Sequence, residues 1–92
     1  MIKYVLTYEA NVDASMDDFM KHYPEHQKVE DEFVSNGKVL GIGPFTTPGE
    51  GAMAIFTDRE SAEAFAQRDP FLQNGLFLNV VIREWQDDLP QD

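Results

Sequence analysis

The tightest constraint on this chain is the order in which its hydrophobic period changes. Residues 2–9 alternate, with Ile2, Tyr4, Leu6 and Tyr8 on one side and Lys3, Val5, Thr7 and Glu9 on the other. A period of two is a strand. Asn11-Val12-Asp13-Ala14 breaks it, and Ser15 with Asp18 three residues on reads as a helix start. Residues 16–36 then carry a helical pattern with Pro24 inside it. Proline removes a backbone donor and crowds the preceding turn, so the helix either kinks there or restarts with Pro24 in its first turn. Beyond it His26, Val29 and Phe33 share a face, and Asn36-Gly37 supplies the stop. Two strand patterns follow, 38–45 and 51–57, around a Pro48-Gly49 turn. A second helix over 59–68 starts at Asp58, carries Ala62, Phe65 and Ala66 on its apolar stripe, and ends at Asp69-Pro70. Residues 71–75 read as one short helical turn and 76–85 as a last strand.

The order βαββαβ predicts an α+β, ferredoxin-like unit: a four-stranded antiparallel sheet with two helices on one face. The last strand adds a demand. Its alternation puts Leu78, Val80 and Ile82 on one face and Phe77, Val81 and Trp85 on the other. Two helices cover one face only, so a second apolar face calls for a second copy of the sheet and hence a homodimer.

Composition bounds the function class. A length of 92 residues is one domain, 1–92, with an acidic tail over 86–92. Acidic residues number 17 against 7 Lys and Arg, for a net charge of −10. Nucleic-acid binding and anionic membrane surfaces both need clustered cations, so neither is an expected partner. Cysteine is absent, which excludes disulfides, thiolate metal sites and a cysteine nucleophile. No apolar run is long enough to span a bilayer, the opening segment does not read as a signal peptide, and the expected location is the cytoplasm.

The topology places the start of the first helix and the end of the second at the same end of the unit. His26 and Asp69 each continue the apolar stripe of their helix toward that end, so the two can come within hydrogen-bonding reach. The reading puts His26 near a helix N-terminus and Asp69 at a helix C-terminus, where the macrodipole disfavours the charged form of each; pairing relieves both. An Asp on one imidazole nitrogen fixes the tautomer and leaves the other free as a base. The first strand ends at Tyr8 beside this pair, and the second strand reaches it at Gly43-Pro44-Phe45. His22 and His26 have the four-residue spacing of two ligands on one helix, with Glu25 or Glu30 as further oxygen donors. Pro24 lies between them, and neither a metal nor a cofactor is expected.

Several segments in order carry a family resemblance: Tyr23-Pro24-Glu25-His26, then Asn36-Gly37, then Leu40-Gly41-Ile42-Gly43-Pro44-Phe45. Phe56-Thr57-Asp58-Arg59-Glu60-Ser61-Ala62, Asp69-Pro70-Phe71, Gly75-Leu76 and Val81-Ile82-Arg83-Glu84-Trp85 continue it. The chain resembles the YciI-like, YCII-related proteins from Ile2 to Trp85. The resemblance implies a dimeric α+β barrel of ferredoxin-like subunits and an active site whose His and Asp match His26 and Asp69. Relatives include a dechlorinase for chlorinated hydroxyquinols. Two departures stand out: the Thr46–Glu50 loop is short, and Tyr23 stands before Pro24 where the family commonly has Arg.

Two functional expectations result. One is a cofactor-independent lyase, isomerase or dehydrohalogenase acting on a small molecule through His26 and Asp69, with Tyr8, Gly43, Pro44, Phe45 and Phe71 contacting the substrate. The other is a non-catalytic small-molecule-binding or accessory dimer that uses the same pocket.

Overall fold

A computed structural model describes residues 1–89. Strand β1 spans Ile2–Ala10, helix α1 Met16–Ser35, strands β2 and β3 Val39–Pro44 and Ala52–Phe56, helices α2 and α3 Arg59–Arg68 and Pro70–Gln73, and strand β4 Phe77–Gln86. The sheet order is β2-β3-β1-β4 with every pairing antiparallel. This is the ferredoxin-like arrangement that the hydrophobic periods predict, and β1 is central because it is buried against a strand on either side.

Each element begins and ends where its local chemistry requires. Ser15 caps α1 by accepting from the Asp18 N–H, while the Asp18 carboxylate accepts from the Ser15 N–H. These reciprocal bonds satisfy two of the donors a helix start leaves open. At the other end Gly37 sits at φ +72°, donating to the Val34 carbonyl, and Lys38 donates to that of Phe33. A left-handed glycine makes this double closure possible. Asp58 caps α2 by accepting from the Ser61 N–H at 2.8 Å.

The core lies between one sheet face and the helices. Leu6, Tyr8, Ala52, Ala54 and Phe56 from the sheet meet Phe33, Ala62 and Phe65 from α1 and α2. The opposite face presents Val5, Met53 and Ile55 beside Arg83 and Trp85. Near its lower corner Lys3 pairs with Asp87, and its ammonium lies 5.7 Å from the Trp85 ring centroid.

Three expectations are corrected. First, α1 runs through Pro24 without a break, the proline standing on the exposed side. His26 is therefore nearly three turns inside the helix, where the N-terminal dipole no longer acts. Second, Phe77 and Leu78 change faces. Thr7 pairs with Val81 but Glu9 pairs with Leu78, so two residues of β4 oppose Tyr8. This is a β-bulge, with Asn79 at φ 55°. It turns Phe77 inward against Tyr8, with ring centroids 4.4 Å apart, and sends Leu78 outward with Val81 and Trp85. Third, Asp87 is no ragged tail residue: it is buried, bonded to Lys3, and its N–H donates to the Met1 carbonyl. The rest of the expected tail from residue 90 onward lies outside the described residues.

Candidate active site

The His26 and Asp69 side chains meet. His26 Nδ1 stands 2.8 Å from Asp69 Oδ1, between residues 43 apart in sequence. Asp69 is completely buried and His26 is 9% exposed. The electrostatic setting of Asp69 differs from the sequence expectation. It ends α2, but it also caps α3, its Oδ1 accepting from the Phe71 N–H at 3.0 Å. A carboxylate at a helix start is favoured, not disfavoured. Its other oxygen, Oδ2, is buried with no hydrogen-bond partner among the described residues, so Oδ1 carries all the compensation for burial.

Short α3 thus performs two tasks. Its first residue, Pro70, brings a fixed φ and no N–H that would need a partner. Its second, Phe71, lies nearly parallel to the imidazole, with ring centroids 4.1 Å apart and planes at 12°. The His26 ring is therefore clamped on one face by Phe71 and held at one edge by Asp69.

His26 opens onto a cleft of about 590 Å³. One wall is the α1 row Met16, Phe19, Tyr23, His26 and Glu30; the other is the β2 end from Ile42 through Gly43 and Pro44 to Phe45. Tyr8, Phe71 and Phe77 form the floor between them. All the residues named for the site from sequence, Tyr8, His26, Gly43, Pro44, Phe45 and Phe71, line this cleft, while Asp69 stands behind His26. Burial is the first cause that pushes the Tyr8 hydroxyl well above the usual phenol range; the Asp69 and Glu30 carboxylates add to it. Tyr8 is thus held as the neutral donor.

Sequence reasoning missed the role of Glu30. Its Oε2 stands 3.2 Å from His26 Nε2, so the imidazole lies between two carboxylates. The signal was present, since Glu30 follows His26 by four residues on one helix. His22 faces away, into a separate polar cleft with Asp18 and Asn74. The two-histidine metal arrangement is therefore not formed, and among the described residues no three His, Cys, Asp or Glu side chains are placed to hold one metal ion.

A family model described as the YCII-related domain matches residues 2–86. The chain belongs to the YCII-related family. Among solved structures, this YCII-related chain is similar to the 5-chloro-2-hydroxyhydroquinone dehydrochlorinase of Burkholderia phenoliruptrix AC1100, solved in complex with 2,5-dihydroxybenzoquinone. The TM-score is 0.69 at 20% identity, over 94% of each chain. At that identity the likeness establishes the shared fold. No curated protein matches the chain. No helix of this YCII-related domain, among the described residues, is long and apolar enough to cross a membrane.

Proposed function

We propose that the protein is a cofactor-independent enzyme of the lyase, isomerase or dehydrohalogenase type, moving a proton on a small planar molecule in the His26 cleft. One observation carries the reading: the 2.8 Å contact between His26 and a fully buried Asp69 at the wall of a mainly apolar cleft. A buried carboxylate on Nδ1 fixes the tautomer and strengthens the imidazole as a base. Tyr8 offers a neutral hydroxyl and Phe71 with Phe45 offers ring surface. The imidazole takes a proton from a hydroxyl or activated C–H of the substrate. The freed electron pair then either accepts the same proton at another carbon, which is isomerisation, or expels a leaving group such as halide. The dehydrochlorinase that shares the fold supports this class.

The test uses a panel of chlorinated and unsubstituted hydroquinones, following halide release and ring-proton exchange with deuterated water. Turnover by the wild type should fall by 10²–10⁴-fold in His26→Ala, the usual range for an acid–base group. Undiminished turnover in that variant would remove the proposal. A second reading, a binding module without chemistry, draws on the Glu30 contact, which leaves Nε2 partnered. Ligand binding without turnover or exchange by any member of the panel would favour it.

We propose further that the protein is a cytoplasmic homodimer; the exposed sheet face supports the second copy. Leu78, Val81 and Trp85 are each more than 40% exposed on the sheet face away from the helices. With Val5, Met53 and Ile55 they form one apolar surface, suited to a second sheet.

A further inference from the structure

Two irregularities of the sheet meet at Tyr8. On one side β4 is bulged, so that two of its residues oppose Tyr8. On the other, Gly51 takes φ +97° and approaches so closely that a Cβ there would stand 1.9 Å from the Tyr8 carbonyl oxygen. Bulges recur beside active sites because they re-aim side chains that regular pairing would leave elsewhere. Here ring contacts keep the aim. Tyr8 lies 4.4 Å from Phe77, Phe77 lies 5.8 Å from Phe71, and Phe71 lies 4.1 Å from His26, centroid to centroid. These contacts hold the phenol and the imidazole in one fixed relation at the cleft.

The Tyr8 hydroxyl has no task in the fold itself. Tyr8 is 3% exposed, yet its hydroxyl makes no hydrogen bond among the described residues. Asp69 Oδ2 is the side-chain atom among them that is both sealed and unpartnered, so the Tyr8 oxygen is not sealed and reaches the cleft that its ring lines. Withdrawing a hydroxyl from bulk water without a protein partner costs stability that a phenylalanine ring would not cost. The other donors of the cleft lie elsewhere or are taken. Tyr23 and Thr47 are exposed, Gln27 donates to Asp31 Oδ1, and no Lys or Arg lines the cleft among the described residues. Burial, which raises the phenol above its usual range, also keeps its proton in place as a donor.

We propose that Tyr8 is the oxygen-binding group of this cleft, its hydroxyl donating to a carbonyl or enolate oxygen of the ligand, and that the ligand class is a planar enolisable carbonyl compound. The assignment rests on the reading of His26 as the base of the same cleft and deepens it. His26 removes a proton from the carbon beside the carbonyl. The C–H electron pair becomes a C=C bond, and the carbonyl π pair moves onto oxygen. Tyr8 donates a hydrogen bond to that oxygen as its charge grows and keeps its own proton. A donor already in place where charge develops needs no reorganisation at the moment of reaction. Collapse of the enolate then takes the proton back at another carbon or expels halide, and no electrons enter or leave.

The probes are 4-hydroxyacetophenone and 4-ethylphenol, rings of matching shape in which a carbonyl is exchanged for a methylene. Binding to the full chain is followed by titration calorimetry. Tyr8→Phe should weaken the ketone by about 3–10-fold, the usual net worth of one hydrogen bond, and leave 4-ethylphenol within about 2-fold. An equal loss for both probes, or no loss for the ketone, overturns the assignment. The ¹³C carbonyl resonance of the labelled ketone should move downfield on binding to wild type, as a carbonyl does when it accepts a hydrogen bond, and should lose that movement in Tyr8→Phe. A ketone that does not bind wild type, or binds with its carbonyl resonance unmoved, also overturns it. Should Tyr8→Phe fail to fold, the wild-type carbonyl shift decides alone. None of these readouts requires turnover. Undiminished turnover in His26→Ala removes the enzymatic reading, whereas a failed ketone comparison removes Tyr8 and leaves His26 in place.

Discussion

Asp69 shows how one side chain can serve both stability and chemistry. Its Oδ1 accepts from the Phe71 N–H and from His26, and nothing else of the carboxylate is satisfied. Asp69→Ala removes a helix cap worth about 1 kcal/mol and a charged hydrogen bond worth about 1.5–3 kcal/mol. The expected loss is roughly 2–4 kcal/mol in urea unfolding. Asp69→Asn keeps an oxygen for Phe71 and should lose less than half of that, yet it should lower turnover about as strongly as His26→Ala, because the neutral amide no longer stabilises the imidazolium formed when His26 takes a proton. Tyr8 gives a prediction in alkali. Its hydroxyl is held above the ordinary value by burial first and by the two carboxylates second. A raised value means that the folded state keeps the proton longer than the unfolded chain does. The contribution is complete below the unfolded phenol value of about 10 and is lost as pH rises toward the folded one. Tyr8→Phe should therefore lose less stability between neutral pH and about pH 11 than the wild type does, measured by thermal unfolding. The His26–Asp69 pair was readable from sequence because each residue continues the apolar stripe of its helix toward the same end of the unit, even though His26 lies well inside α1 and not at its start. The Glu30 contact was readable only in part. Its spacing shows a shared helix face, but only the Asp69 contact at Nδ1 fixes which ring nitrogen turns toward it.

Elements are set by a few residues at their joints. Gly51 precedes β3 at φ +97°, and a Cβ built there would stand 1.9 Å from the Tyr8 carbonyl oxygen. The neighbour is backbone of the central strand and cannot give way. Gly51→Ala adds this clash to a left-handed strain of roughly 1–3 kcal/mol. The expected outcome is a loss of about 3 kcal/mol or more by denaturant unfolding, with Phe45 and Tyr8 displaced at the cleft. Asp58 acts at the other joint. Its carboxylate is held below the usual range chiefly by the Ser61 N–H, with the Ser61 and Thr57 hydroxyls adding to this. A lowered value makes its contribution present above the unfolded value of about 3.9 and lost as pH falls through the folded one. Asp58→Ala should cost about 1 kcal/mol near neutral pH, the usual worth of a cap. The difference from wild type should shrink in acid below about pH 4, as followed by circular dichroism. These joints also mark the limits of periodicity. The strands and helices announced themselves by their spacing, and Asn36-Gly37 and Asp69-Pro70 by their turn chemistry. The bulge at Asn79 did not. Asn tolerates positive φ, but Val80 beside it continues an apolar run, so nothing local says that two residues oppose one. That single extra residue moved Phe77 from the outer face to the floor of the cleft.

At the scale of the molecule, apolar area and net charge act against each other. The outer face of the sheet joins Val5, Met53, Ile55, Val81 and Trp85 without a helix to cover it. Burying such a face is worth about 25 cal/mol per Å², so a second copy laid on it has a clear driving force. Each copy, however, carries a net charge of −10, and two such bodies repel. Added salt screens that repulsion, with a Debye length of about 10 Å at 0.1 M and about 3 Å at 1 M, and leaves apolar contact intact. Self-association through this face should therefore tighten as salt rises, the reverse of an interface held by ion pairs. Sedimentation equilibrium between about 0.05 and 1 M sodium chloride reads this directly. Trp85→Glu puts a charge on the apolar face while keeping β4 paired to β1, and should yield monomers at all salt concentrations. The monomeric variant should keep the His26–Asp69 contact, because every residue of that contact comes from one chain. A dimer that weakens with salt, or that survives Trp85→Glu, would place the interface elsewhere on the molecule.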